Sequence, residues 1–217
     1  MRAVLWDLDD TLIDSIAARM VALSHAYESC LGAKIDPLAL WRSHRGGSLE
    51  ALGQRLLDKD GPRFVECYRE FYYGLDRPVR PYAGIPAVLE ACRDNGLELA
   101  VVTAKVSWGA TEELQRARLL HHFAAVIGAD DTDRHKPDPA PIFAAMERLL
   151  VDDPEELVFI GDSPADIFAA RNAGCRSIAA LWGTLDDELL RDASPDFFAA
   201  TPEEVLECLA KARGGAR

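Results

Sequence analysis

The sequence predicts an α/β protein, a doubly wound parallel sheet interrupted after its first strand by a small all-helical domain. Three observations predict it. Short apolar β runs alternate with helix-period segments along most of the chain, the mark of βαβ units. From about Ser15 to Arg80 the alternation stops and only helical patterns remain. Carboxylates, a hydroxyl and an amine follow separate apolar runs, at the strand ends where open parallel sheets bind ligands.

The elements can be justified in order. Residues 3–6 form the first apolar run, and 97–102, 124–127, 157–160 and 176–179 form the later ones. Helical periodicity fills 85–94, 108–119, 140–150 and 165–173, and Gly96, Gly128 and Gly174 fall where an element should stop. Thr201, Pro202 and Glu204 have the order of an N-cap, a first-turn proline and a capping-box acid, opening a last helix to about Ala212.

Within the interval, helical patterns cover 16–31 (with Gly32 as a stop), 38–43, 49–57 and 63–75. Roughly sixty residues are too many for an ordinary strand-to-helix connection. The predicted division is therefore an α/β core of 1–14 and 81–217 with a helical domain of 15–80. Pro78, Pro81, Gly84 and Pro86 punctuate the return to the core.

Composition narrows the function classes. The chain has 217 residues, 49 % hydrophobic and 28 % charged, enough to bury a full core and to exclude a disordered or low-complexity protein. Its formal charge of −12 repels nucleic-acid backbones and anionic membrane surfaces, so neither is an expected partner. The N-terminal apolar run is too short for a signal sequence, and no stretch approaches a membrane span; a cytoplasmic location is expected. The five cysteines form no C-x-x-C pair, which supports neither a disulfide framework nor a zinc site.

Four clusters carry candidate chemistry. Asp7-Leu8-Asp9-Asp10-Thr11 follows the first strand, Thr103-Ala104-Lys105 the second, His135-Lys136-Pro137-Asp138 precedes a helix, and Gly161-Asp162 follows the fourth strand with Asp166 beyond it. Each alone has an ordinary explanation: an acidic turn, an N-cap threonine, a solvated loop lysine, and an acid in a first helical turn. Together they place hard oxygen ligands for a divalent cation beside donors for phosphate oxygens on one sheet edge.

In these four motifs the chain resembles the haloacid dehalogenase-like hydrolases, and within them the phosphoglycolate phosphatase-like branch. That resemblance implies a Rossmann-like core with a helical cap between the first two motifs, and a Mg2+-dependent phosphatase of a small phosphorylated metabolite. It implies that Asp7 is the nucleophile forming an aspartyl-phosphate and that Asp9 is the acid and base. It further implies that Asp7, Asp162 and the Asp9 carbonyl ligate Mg2+. Thr103, Lys136 and the Ala104 backbone would hold the substrate, with Asp166 supporting Lys136 or a water in the cation's shell.

Three positions depart from the family pattern: Ala104 where Asn is common, Trp6 where Phe is usual, and Asp10 where Gly is frequent. In the helical interval, Arg42, His44 and Arg45 precede Gly46-Gly47, and Arg45 is a candidate grip for a substrate's second anionic group.

Other activities share parts of this pattern. A dehalogenase has no need of the Asp9 carboxyl. A phosphonate hydrolase would want a cap lysine, and Lys34 and Lys59 lie in no apolar setting that would suit one. A phosphomutase of the β-phosphoglucomutase type shares all four motifs. A phosphorylation switch of the receiver type shares the acidic pair, the threonine and the lysine, but has no helical insertion.

Overall fold

The computed structural model describes residues 1–44, 48–75 and 78–214. It divides into two units, Met1–Asp14 with Val79–Arg217, and Ser15–Pro78. The first unit resumes two residues before the Pro81 expected from the sequence, because the Val79 side chain is buried in its core.

The first unit opens with β1 (Ala3–Trp6). The second unit holds α1 (Ile16–Leu31), α2 (Pro37–His44), α3 (Leu49–Leu57) and α4 (Gly61–Gly74). Leu23, Ala26, Leu40, Leu52 and Phe64 form its own core. α1 stops at Gly32, whose φ of 67° suits a residue without a side chain. A Cβ on Gly53 would lie 2.7 Å from the Gly61 carbonyl oxygen, so α3 and α4 approach where only glycine fits.

The first unit continues with α5 (Ile85–Asp94), β2 (Glu98–Val102), α6 (Ser107–Arg116) and β3 (Ala125–Ile127). After these come α7 (Ala140–Leu149), β4 (Leu157–Gly161), α8 (Pro164–Ala173) and β5 (Arg176–Ala180). α9 (Asp187–Asp192), β6 (Phe197–Ala199) and α10 (Glu204–Gly214) complete it.

All six strands are parallel, in the order β3-β2-β1-β4-β5-β6. The chain builds outward from β1 on one side and from β4 on the other, so the strand order reverses between them. Alternation along β1 shows how both faces are covered. Val4 and Trp6 enter a cluster with Leu89 of α5, Leu114 of α6 and Leu209 of α10, whereas Ala3 and Leu5 enter one with Ile142 of α7 and Ala170 of α8. This is a doubly wound α/β sheet.

Two elements escape sequence reading. β6 is a three-residue edge strand, too short for a period to register. Side-chain bonds tie it down: Ser177 N–H and Oγ–H donate to Asp196 at 2.8 and 3.0 Å, and Asp196 N–H donates back to Ser177 Oγ at 3.1 Å. α9 is a six-residue helix capped by the Asp186 carboxylate. The last helix begins at Glu204, later than the expected capping box, and the Glu204 carboxylate accepts from Ala200 N–H, not Thr201. Among the described residues no helix is long and apolar enough to cross a membrane.

Candidate active site

β1 is buried along its whole length, and its carboxyl end delivers Asp7. Asp7 N–H donates to the Ile160 carbonyl at 2.9 Å, which ties the residue to β4 beside the point where the strand order reverses. The chain then folds back tightly. Leu12 and Ile13 N–H both donate to the Leu8 carbonyl, and Asp10 N–H donates to the Ile13 carbonyl at 2.8 Å. Asp10 has a φ of 61°, a conformation glycine adopts freely and Asp tolerates better than most residues. That accounts for an Asp where the resembling family often has Gly. Leu8, Leu12 and Ile13 are fully buried beneath the turn and pin it down.

Lys136 is the hub of the site. Its ammonium group donates to Asp7 Oδ1 at 2.7 Å, to Asp166 Oδ1 at 2.6 Å and to the Val102 carbonyl at 3.2 Å. An ammonium has three protons, and these three acceptors account for them. The side chain is nearly buried, and its two carboxylate partners outweigh desolvation and push its pKa above that of a free lysine. It therefore stays charged.

Asp166 is held from its other side: Ser163 N–H and Oγ–H donate to Oδ2 at 3.0 and 2.6 Å. Gly161 makes this arrangement possible, since a Cβ there would lie 2.4 Å from Asp166 Cβ. Asp162 Oδ1 accepts from Thr11 Oγ–H at 3.0 Å, and the Thr11 carbonyl accepts from the Trp182 indole at 3.0 Å.

Asp7, Asp162 and Asp166 each offer an oxygen, all within 4.8 Å of one another. Burial raises the Asp7 pKa from 3.8 to about 7, with Asp166 and Asp9 adding to the effect and Lys136 opposing it. Hard oxygen donors at this spacing fit a Mg2+ ion. Both oxygens of Asp166 are bonded to Lys136 and Ser163, so Asp7 and Asp162 are the pair suited to direct ligation.

Thr103 is buried at the end of β2, its N–H donating to the Ile127 carbonyl at 2.9 Å and its Oγ accepting from Lys105 N–H at 3.2 Å. It directly follows Val102, whose carbonyl accepts from Lys136. Ala104 comes next and is partly exposed. Arg45 lies outside the described residues. The structure thus brings Asp7, Lys136, Asp162 and Asp166 into one cluster, while Asp9 is engaged by a group the motif reading left without a role. Lys105 Nζ donates to Asp9 Oδ1 at 3.0 Å and also pairs with Glu113. Glu113 had a visible sequence signal: it is an acid on the buried face of α6, beside Ala110 and Leu114.

The chain belongs to the haloacid dehalogenase-like hydrolase family, whose model matches residues 4–180. Within it the chain stands on the phosphoglycolate phosphatase-like branch, and it is an enzyme, a hydrolase of the phosphatase type. It is 33 % identical over 213 residues to a phosphoglycolate phosphatase of Aquifex aeolicus, covering 96 % of this chain and 97 % of that one. It is 28 % identical to a pyrophosphatase PpaX of Halalkalibacterium halodurans over 215 residues, 95 % of this chain and 96 % of the other. The solved structure of a haloacid dehalogenase-like hydrolase from Streptococcus pneumoniae superposes with a TM-score of 0.83 at 25 % identity, covering 96 % of this chain and 98 % of that one.

Proposed function

We propose that the protein is a Mg2+-dependent phosphatase that hydrolyses a small phosphate monoester through an aspartyl-phosphate on Asp7. The observation that carries this reading is the Lys136 ammonium group, which holds the nearly buried Asp7 carboxylate beside Asp162 at the sheet's carboxyl edge. In this reading Asp7, Asp162 and the Asp9 carbonyl hold the cation. Bound there, Mg2+ neutralises charge on the carboxylates and on the phosphoryl oxygens.

Asp7 must be unprotonated to attack. Burial works against that, while Lys136 and a cation work for it. As an Asp7 oxygen bonds to phosphorus, the ester P–O bond breaks, and the departing oxygen keeps the electron pair and takes the proton of the Asp9 carboxyl. Asp9, now ionised, then takes a proton from water. The water oxygen bonds to phosphorus as the bond to Asp7 breaks, and phosphate leaves. Lys136, giving up its long bond to the Val102 carbonyl, and Thr103 hold the transferring oxygens, the Ala104 N–H donates to the substrate, and Asp166 keeps Lys136 in place. Positioning and charge neutralisation supply most of the rate.

The 15–78 unit is read as a cap that selects the substrate, with Arg45 as the candidate grip. Phosphoglycolate and pyrophosphate, for which the two relatives are named, both carry a second anionic group. That supports a small phosphorylated compound with a second anionic group beside its phosphoryl group as the substrate class.

The test is phosphate release from a panel of small phosphate esters and pyrophosphate, with and without Mg2+, using Asp7→Asn as control. Metal-dependent turnover that Asp7→Asn abolishes is expected. Phosphoryl transfer between positions of a sugar phosphate without release would make the enzyme a mutase. A stable phosphoprotein that never turns over would make it a switch.

A further inference from the structure

We propose that Lys105, braced by Glu113, is a positioning residue that fixes the carboxyl group of Asp9. The inference rests on the reading of Asp9 as the acid and base. Lys105 lies two residues beyond Thr103, and its backbone is tied at both ends: its N–H donates to Thr103 Oγ at 3.2 Å and its carbonyl accepts from Ala129 N–H at 2.9 Å. From that anchored turn its ammonium reaches across the sheet edge to Asp9 Oδ1, 96 residues away in sequence.

Glu113 explains why the reach is stable. It is fully buried on α6 and pairs with the same ammonium. A buried carboxylate is costly without a partner, so its place among Ala110 and Leu114 marks a built feature and not a chance surface contact. It also offsets the lysine's charge, so the pair can orient Asp9 while adding little net field at the reaction centre. Fixing Oδ1 fixes the plane of the carboxyl group, and with it the direction of the second oxygen. An acid that must meet a departing oxygen gains from such preorganisation, because small misplacements cost rate steeply.

The experiment measures kcat/KM, which reports the steps through loss of the leaving group, on two esters. One is an alkyl phosphate, whose leaving oxygen needs a proton; the other is p-nitrophenyl phosphate, whose leaving group does not. Lys105→Met should lower kcat/KM on the alkyl ester about tenfold or more, and on the aryl ester less than about threefold. Inhibition by inorganic phosphate should stay within about twofold, and Lys105→Arg should recover most of the loss. Because Lys105→Met strands the Glu113 carboxylate, the same measurements are made on Lys105→Met combined with Glu113→Gln, which keeps the fold testable.

Asp9→Asn is the reference. If it lacks the leaving-group pattern, the acid/base reading itself fails. If it shows the pattern and both Lys105→Met proteins do not, the positioning role fails alone. Adding Lys105→Met to Asp9→Asn should cost nothing further. Equal losses on both esters, or a change in phosphate affinity alone, would assign Lys105 to substrate binding or to general stability and overturn the proposal.

Discussion

At the Asp7 position a carboxylate is nearly withdrawn from water, and the cost shows in a pKa raised from 3.8 to about 7. The sign of the consequence follows directly. The folded, cation-free protein holds this proton where the unfolded chain would have lost it, so its stability advantage is full below about pH 4 and fades as pH rises through about 7. A cation competes with that proton. Mg2+ affinity should therefore be about tenfold weaker at pH 6 than at pH 8, with proton release on binding at the lower pH. Titration calorimetry in two buffers of different ionisation enthalpy measures both, and equal affinities at the two pH values would refute the account. Trp6 offers a second residue-scale test. It is fully buried, and its indole N–H has no partner among the described residues. Trp6→Phe gives up some apolar contact but also an unsatisfied donor worth about 1–3 kcal/mol, so denaturant melts should show the variant within about 1 kcal/mol of the parent or above it. Leu5→Ala in the opposite cluster should cost about 2–5 kcal/mol. The sequence shows Asp7, Thr103, Lys136 and Asp162 because each stands beside an apolar run or a proline turn. It does not show that Lys105 turns toward Asp9, because that depends on the turn held by Thr103 Oγ and Ala129 N–H and on where α6 places Glu113.

Between strand and helix, the β4–α8 turn carries a tight steric demand in the site. Gly161 ends β4 where Asp166 crosses above it, and a methyl group at 161 would overlap Asp166 Cβ and Cγ, both at 2.4 Å. Those atoms belong to a side chain bonded to Lys136 and Ser163, so they have little room to yield. Gly161→Ala should cost about 1–3 kcal/mol in a thermal melt and push Asp166 off Lys136. A fall in kcat/KM of about tenfold or more should follow, since Lys136 would lose the partner that places it. A variant as active and as stable as the parent would show that the turn relaxes freely. Element boundaries were legible wherever backbone chemistry marks them. Gly32 and Gly174 stop α1 and α8 with φ of 67° and 84°, conformations that select glycine. The apolar period runs three residues past the end of α6, because Ala117 and Leu119 continue it after the helix has ended, with Arg118 at φ 59°. β6 left no mark, because three residues are too few to show a period and the residue before it that bonds Ser177, Asp196, is by sequence one more loop acid.

For the whole molecule, the division into two units makes a physical statement about independence. The three apolar clusters of the α/β unit contain no residue from 15–78 among those described, and the helical unit has its own core around Leu23, Leu52 and Phe64. Every residue proposed for the chemistry (Asp7, Asp9, Thr103, Lys136, Asp162 and Asp166) belongs to the α/β unit. The insertion leaves and re-enters that unit at neighbouring points. Asp14 N–H donates to the Arg80 carbonyl at 3.0 Å, and Tyr82 N–H donates to the Leu12 carbonyl at 3.1 Å. A chain in which a short Gly-Ser linker replaces 15–78 should therefore fold on its own, since its sheet, its core and the closure of its ends are all intact. It should melt in one cooperative transition, with less helical signal than the parent. If the helical unit selects the substrate, the shortened enzyme should keep Mg2+-dependent cleavage of p-nitrophenyl phosphate while its preference among small anionic esters collapses toward uniformity. Retained discrimination would move specificity into the α/β unit, and a folded chain inactive on the aryl ester would show that the helical residues take part in the chemistry.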